Sequence, residues 1–139
     1  MEIILMGRAA VKGKAEGEAL VTRKPISYLG EINLATGICI QARHDWLGKT
    51  ISGKILVYPH GKGSSGDAMR IWTLAKNNKA PAAIINNRAD SITVEGAILA
   101  NIPMVYNLDK DPLEVIENGD YVNIVGNKVI ISKSMKCLH

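Results

Sequence analysis

The chain has 139 residues, of which 47% are hydrophobic, and its core is aliphatic because it contains no Phe. This length fits one domain over residues 1–139. The longest apolar runs are far shorter than the roughly 20 residues that a membrane-spanning helix needs. The N-terminus Met1–Gly13 has an acidic second residue and a short apolar run, unlike a signal peptide. We therefore expect a cytoplasmic protein without a membrane segment.

The formal net charge of +4 is unevenly spread along the chain. Residues 1–88 carry 13 basic and 6 acidic side chains, whereas residues 89–139 carry 4 basic and 7 acidic ones. The basic residues form no tract and do not alternate with aromatic residues, so we expect no nucleic-acid groove. A mildly basic face suits a small anionic substrate or an acidic partner surface.

Cysteine and histidine residues are few and scattered. Cys39 and Cys137 are the two cysteines, and His44, His60 and His139 are the three histidines. Their spacing matches neither a C-x-x-C pair nor an H-E-x-x-H motif. Iron–sulfur clusters usually take about four protein ligands, so two thiols cannot hold one alone. We expect these residues to pack in the core or lie at the surface, and any metal to be held by a partner chain.

In chain order, the hydrophobic pattern predicts strands at both ends and an α/β middle. Short apolar runs and alternating polarity between turn residues indicate the strands. A long irregular stretch separates the second and third of them. The predicted strands are Glu2–Met6, Glu16–Arg23, Ile38–Ala42, Lys54–Tyr58, Ala82–Ile85, Met104–Asn107, Tyr121–Val125 and Lys128–Ser132.

Two helices are predicted between the central strands. Apolar residues at positions 68, 71, 72 and 75 have helical spacing, and Ile92–Asn101 predicts a second helix. The strand–helix–strand–helix–strand order predicts that the three central strands are parallel. Pro112–Asn118 predicts a short helical turn, and Gly126 with Asn127 predicts a two-residue hairpin. A β-rich layer packed on a parallel sheet, with helices on its other face, accommodates these elements.

The segment HGKGSSGD, residues 60–67, links an apolar strand to the first predicted helix. Ser64 and Asp67 match a capping box, with serine at the N-cap and an acid at N3, and this explanation needs no function. The same geometry predicts an anion site, because a helix N-terminus presents free N–H groups and a positive dipole end. Ser64 and Ser65 would then lie at its mouth, with Lys62 beside them. The glycine spacing does not match a nucleotide-binding motif.

Three segments carry a resemblance to a known family. They are GEALVTRKPISYLGEINLATGICI, SGKILVYPHGKGSSGDAMRIWTLA and APAAIINNRADSITVEGAILANIPMV. The chain resembles the small subunits of the aconitase X group from about Gly7 to Ile131. The resemblance implies an α/β fold, namely a swivelling β/β/α domain like the small mobile domain of aconitases.

The resemblance also implies a function. It implies the small subunit of a two-chain hydro-lyase, whose large catalytic subunit holds a [4Fe-4S] cluster that this chain does not bind alone. The implied reaction is dehydration of (R)-5-phosphomevalonate to trans-anhydromevalonate 5-phosphate, in the mevalonate route to isoprenoids. Ser64 matches the catalytic base, and Lys62, Gly63 and Ser65 would contact the substrate. Gly66 stands where aconitases have a substrate-binding Arg, so citrate-type substrates are disfavoured.

Other functions remain open at this point. The same group includes dehydratases of other hydroxy acids, such as cis-3-hydroxyproline. The architecture also resembles phosphohistidine carrier domains, in which case His60 is the nearest candidate. A binding module without its own catalytic residue is a third alternative, and Ser64 would then be only a helix cap.

Overall fold

The computed structural model describes residues 1–133, so Cys137 and His139 lie outside the described residues. One mixed sheet has the strand order β1-β8-β7-β3-β4-β5-β6-β2. The elements are β1 (Glu2–Met6), β2 (Arg8–Val11), β3 (Lys14–Val21), β4 (Ile55–Tyr58), α1 (Asp67–Lys76), β5 (Ala83–Asn86), α2 (Ser91–Ala100), β6 (Met104–Tyr106), α3 (Pro112–Val115), β7 (Tyr121–Val125) and β8 (Lys128–Ser132).

Strand β3 belongs to two differently paired parts of the sheet. Its first half pairs antiparallel with β7, and its second half pairs in parallel with β4. Strands β4, β5 and β6 are parallel to one another, as the strand–helix alternation predicts. Strands β7 and β8 form the predicted hairpin, and β1 adds to β8.

The central strands have a core on each face. Ile55 and Val57 pack in a cluster with residues of β1, β7 and β8. Leu56 and Tyr58 pack in a second cluster with the two long helices and the loop before β4. Because successive side chains of a strand point to opposite faces, β4 is buried on both sides. The result is three layers, β/β/α, which confirms the predicted fold class.

The strand predicted over Ile38–Ala42 is wrong. Residues 22–54 run as turns, closed by single antiparallel bridges from Ile32 to Cys39 and from Ile38 to Thr50. Cys39 is buried as an ordinary core residue, and burial raises the pKa of its thiol. The apolar residues of this loop therefore enter the core individually from turns. They are joined by single bridges instead of the continuous hydrogen bonding of a strand.

Strand β2 was not predicted. It pairs antiparallel with β6 at the edge of the sheet, and its register shifts between Ala9 and Val11. The strands of the α/β middle lie within a few residues of their predicted bounds. Helix α3 ends at Val115, three residues before the predicted end at Asn118.

Candidate active site

The glycine turn is fixed to the body of the domain on two sides. The N–H of Ile26 donates to the carbonyl of His60 at 3.2 Å, and the N–H of Lys62 donates to the carbonyl of Ile26 at 2.8 Å. The N–H of Gly61 donates to Oδ1 of Asp90 at 2.8 Å. These bonds hold the turn at the carboxyl end of β4, which is the edge of the sheet at which α/β proteins bind ligands.

The predicted capping box is wrong. Helix α1 begins at Asp67, its N-cap is Gly66, and the cap makes no side-chain hydrogen bond. Gly66 adopts the left-handed conformation with a φ of 88°, which glycine reaches at low cost. This bend places Asp67 at the first helical position, so its carboxylate turns towards the core rather than back to Ser64. Ser64 lies in the turn before the helix.

The hydroxyl of Ser64 belongs to a short chain of polar groups. Oγ of Ser27 lies 2.9 Å from Oγ of Ser64 and 3.1 Å from Oδ2 of Asp67. The N–H of Leu29 also donates to Oγ of Ser27, at 3.2 Å. Ser27 and Asp67 are buried, whereas Ser64 is half-buried. The half-buried hydroxyl is therefore connected to a buried carboxylate through one other hydroxyl.

Arg70 brings a guanidinium group to the turn. Its Nη1 donates to Oδ1 of Asp67 and to the carbonyl of Ser65, both at 3.0 Å. Its terminal nitrogens lie 3.2 and 3.3 Å from the position that a Cβ on Gly66 would take. A cation therefore lies beside residue 66 although the sequence has glycine there. The N–H of Tyr28 completes the donors to Asp67, at 3.2 Å from both carboxylate oxygens.

A second buried carboxylate lies next to the first. Glu31 is 3% exposed, and its oxygens accept from Nζ of Lys62 at 2.7 Å and from the N–H of Ser27 at 3.2 Å. Nε2 of His44 lies 3.3 Å from the same carboxylate. The N–H of Trp46 donates to Nδ1 of His44, which holds the ring with Nε2 towards Glu31. Ser27 thus contacts both carboxylate groups, one through its backbone and one through its hydroxyl.

A cleft of about 350 Å³ opens beside this cluster. Lys24, Arg43, His44 and Lys62 are its basic lining residues, and Glu31 is its acidic one. The backbone of Arg43 is left-handed, with a φ of 68°, a conformation that residues other than Gly and Asn rarely adopt. The lining favours an anionic ligand, because its basic groups outnumber the single carboxylate.

Two tyrosines lie on the core side of the turn. The hydroxyls of Tyr28 and Tyr58 lie 3.0 Å apart, and both side chains are buried. Burial and the neighbouring Tyr58 raise the pKa of Tyr28 well above its usual value, and burial also raises the pKa of Tyr58. Both phenols therefore stay neutral at physiological pH, and the wall behind Asp67 is a region of low dielectric constant.

The predicted site residues lie on one turn. Lys62, Gly63 and Ser65 are exposed, and Gly63 is left-handed with a φ of 77°. His60 is half-buried, and its Nδ1 donates to the carbonyl of Gly61 at 2.7 Å. Sequence reasoning missed Ser27, Glu31 and Arg70 as partners of this turn. Ser27 and Glu31 lie four positions apart in an irregular loop, a spacing that matches no recognisable motif.

Within residues 1–133, no group of three or more His, Cys, Asp or Glu side chains is arranged to hold a metal ion. Cys39 is buried in the apolar core, so it is not available as a ligand. This part of the chain therefore does not fit an iron–sulfur cluster. Across the same residues, every helix is too short or too polar to span a bilayer.

Comparison with known proteins agrees with the resemblance drawn from the sequence. The family model described as the aconitase X swivel domain matches residues 4–133. The small subunit of phosphomevalonate dehydratase from Methanosarcina mazei is 47% identical over 122 residues, which cover 88% of this chain and 85% of that protein. Its counterpart from Thermococcus kodakarensis is 51% identical over 110 residues, covering 79% of this chain and 83% of that protein.

A solved structure gives the same result for the fold. The holo-form crystal structure of Thermococcus kodakaraensis aconitase X matches with a TM-score of 0.88 and 44% identity, over 94% of this chain and 99% of that chain. The chain therefore belongs to the aconitase X swivel domain family.

Proposed function

We propose that this chain is the small subunit of a two-chain hydro-lyase that dehydrates (R)-5-phosphomevalonate to trans-anhydromevalonate 5-phosphate. Relatives with about half their residues in common are named as small subunits of that dehydratase. The observation that supports a catalytic role is the position of Ser64. Its hydroxyl lies before the N-terminus of α1, 2.9 Å from the Oγ of Ser27.

Ser64 is the general base in this proposal. Removing water from a β-hydroxy acid requires a base for the proton on the carbon next to the carboxylate. It also requires a Lewis acid at the leaving hydroxyl. A serine is a weak base in water, but a helix N-terminus in a site closed to water favours negative charge on its oxygen.

The Lewis acid belongs to the large subunit in this proposal. The described residues do not fit a metal or cluster, so a [4Fe-4S] cluster would be held wholly by the partner. This chain supplies the serine, the basic groups around it and a neutral wall that excludes water. The reaction then needs both chains, with this domain closing on the large subunit.

The anionic groups of the substrate would bind at the turn and the adjoining cleft. Lys62, Gly63 and Ser65 are exposed there, and Arg70 lies where a side chain on residue 66 would be. A phosphate and a carboxylate are the groups that guanidinium and ammonium ions bind best. The complex would work in the cytoplasm, a compartment in which a free thiol such as that of Cys39 stays reduced.

The test is turnover of (R)-5-phosphomevalonate by the complex of this chain with its large subunit. Ser64→Ala is expected to lower kcat by about 10³-fold or more while the complex still assembles. Ser91→Ala, which removes an exposed hydroxyl at the start of α2, is the matched control and should retain wild-type kcat. Near wild-type turnover by Ser64→Ala would contradict the proposal. A higher kcat/KM for a different hydroxy acid would contradict the assigned substrate alone.

A further inference from the structure

The hydroxyl of Ser27 has one proton and two acceptors in reach. Its Oγ lies 2.9 Å from Oγ of Ser64 and 3.1 Å from Oδ2 of Asp67, and it accepts from the N–H of Leu29. A carboxylate only accepts, whereas a serine hydroxyl donates one bond and accepts two. The single proton of Ser27 serves one acceptor at a time, so Ser27 donates either to Ser64 or to Asp67. In the second arrangement the hydroxyl of Ser64 is free to donate to Ser27, which gives a continuous path for a proton from Ser64 to Asp67.

We infer that Ser27 and Asp67 form a proton relay that takes the hydroxyl proton of Ser64 during the reaction. This inference rests on the proposed function of Ser64 and deepens it. Ser64 would touch the substrate, Ser27 would act as a positioning residue between the two ends, and Asp67 would be the final proton acceptor. Neither Ser27 nor Asp67 was assigned a part in the reaction by the sequence.

The relay removes the need for a free serine alkoxide. Ser64 accepts the proton from the carbon next to the substrate carboxylate as its own O–H bond breaks. Its former proton moves to Oγ of Ser27, whose O–H bond breaks in turn, and the second proton forms an O–H bond on Oδ2 of Asp67. The electron pair of the substrate C–H bond goes into the new double bond, and the C–O bond breaks with its electron pair leaving on the hydroxide, which the Lewis acid of the large subunit would accept. Two hydroxyls are regenerated, and one carboxylate becomes a carboxylic acid.

The burial of the relay supports this direction. Ser27 and Asp67 are each 4% exposed, so water does not compete for the hydrogen bond between them. Arg70 and the N–H of Tyr28 hold the carboxylate of Asp67 in place, which keeps Oδ2 aimed at Ser27. Oδ2 is the oxygen that faces Ser27, and Arg70 donates to the other oxygen, Oδ1. Ser64 is the half-buried end, where a substrate could reach it.

The experiment uses the complex with its large subunit and (R)-5-phosphomevalonate as substrate. Ser27→Ala removes the bridge but leaves both ends in the chain. We expect kcat to fall by about 10²-fold with KM changed less than threefold. The rate plotted against deuterium content of the solvent should be curved for the wild type, because several protons move together. The plot should become straight for Ser27→Ala.

Asp67→Asn and Ser64→Ala separate the possible failures. Asp67→Asn, which keeps the shape of the side chain, should lower kcat as much as Ser27→Ala does. An inactive Ser64→Ala together with Ser27→Ala within threefold of wild type would overturn the relay and leave Ser64 as the base. A slow Ser27→Ala that keeps the curved solvent plot would also overturn it, because the residue would then be only structural. An active Ser64→Ala would overturn the proposed function itself. Complex assembly and thermal unfolding check that each variant folds, with Ser91→Ala as the control.

Discussion

Two buried carboxylates in this domain are paired with lysine, one in the β layer and one at the glycine turn. Asp120 is fully buried and lies 2.6 Å from Nζ of Lys133. Glu31 is 3% exposed and lies 2.7 Å from Nζ of Lys62. The distances and the burial of the two acids are nearly equal, so these quantities alone do not separate a structural pair from a ligand-facing one.

The two lysines differ in what surrounds them. Nζ of Lys133 donates to the carbonyl of Val115 and also pairs with Glu117 at 3.2 Å, and its side chain is 16% exposed. Together with Asp120 these groups use the three donors of the ammonium. The side chain of Lys62 is 47% exposed in the cleft, and within residues 1–133 its hydrogen-bond acceptor is Glu31. Lys62 therefore has donors left for a ligand, whereas Lys133 has none.

Their positions follow the same division. Asp120 precedes β7 and Lys133 follows β8, so this pair closes the end of the antiparallel hairpin. Lys62 follows β4 at the carboxyl edge of the parallel strands. The accessibility of the cation, rather than the burial of the acid, therefore distinguishes a ligand-facing pair.

The largest expected effect is on stability, from Asp120→Asn. The change leaves the ammonium of Lys133 with the carbonyl of Val115 and the exposed carboxylate of Glu117, a weaker compensation than the buried pair. We expect the loss to be about 3 kcal/mol of unfolding free energy. Denaturant unfolding of this chain measures the loss, and turnover of the complex should be unchanged per folded molecule. A variant with wild-type stability would show that the hairpin end does not depend on this pair.

The next effect is on substrate binding, from Lys62→Met. We expect KM for (R)-5-phosphomevalonate to rise about 10-fold, because an exposed cation in the cleft is lost. Lys133→Met is the matched control, since it removes the same charge where no substrate reaches, and it should leave KM unchanged. Equal effects of the two changes on KM would contradict the division between the pairs.

The central fold was predictable because its signals are local. The run Ile55–Tyr58 is apolar throughout, which matches a strand buried on both faces, and Gly126 with Asn127 forms the turn of the observed hairpin. Strand β2 was not predictable in the same way. It pairs with β6 across most of the chain, and its four residues carry no turn signal that would mark the partner.

The candidate site was predictable only in part. The local pattern placed Ser64 at a helix N-terminus, whereas its role as the base came from the resemblance to a known family. Ser27 lies 37 residues from Ser64 in an irregular loop, where no period predicts which side chains meet. Arg70 reaches residue 66 because Gly66 takes a left-handed conformation, and this also moved the helix start away from Ser64. Long-range contacts and one backbone conformation therefore decide the site.

A smaller effect separates the two pairs at alkaline pH. Burial acts to lower the pKa of Lys133, but its hydrogen bonds to Asp120 and Glu117 outweigh burial, so the pKa lies above its usual 10.5. A raised pKa in the folded state gives stability that is complete below 10.5 and is lost as the pH rises through the folded value. Unfolding free energies from pH 8 to 11 should show this loss in the wild type and in Lys62→Met, and not in Lys133→Met. The same decline in Lys133→Met would assign it to another group.

The smallest expected effect is that of Asp45→Asn on the free energy of unfolding. Asp45 pairs with Lys24, which lines the cleft. A hydrogen bond from the hydroxyl of Thr22 lowers the pKa of Asp45, and Lys24 adds to this at 3.7 Å. A lowered pKa gives stability that is present above the usual value of 3.8 and is lost as the pH falls through the folded value. Because the side chain is 45% exposed, Asp45→Asn should cost only about a few tenths of a kcal/mol at pH 7. Unfolding of Asp45→Asn and wild type should therefore converge at low pH. A cost as large as that of Asp120→Asn would show that Asp45 behaves as a buried group despite its contact with solvent.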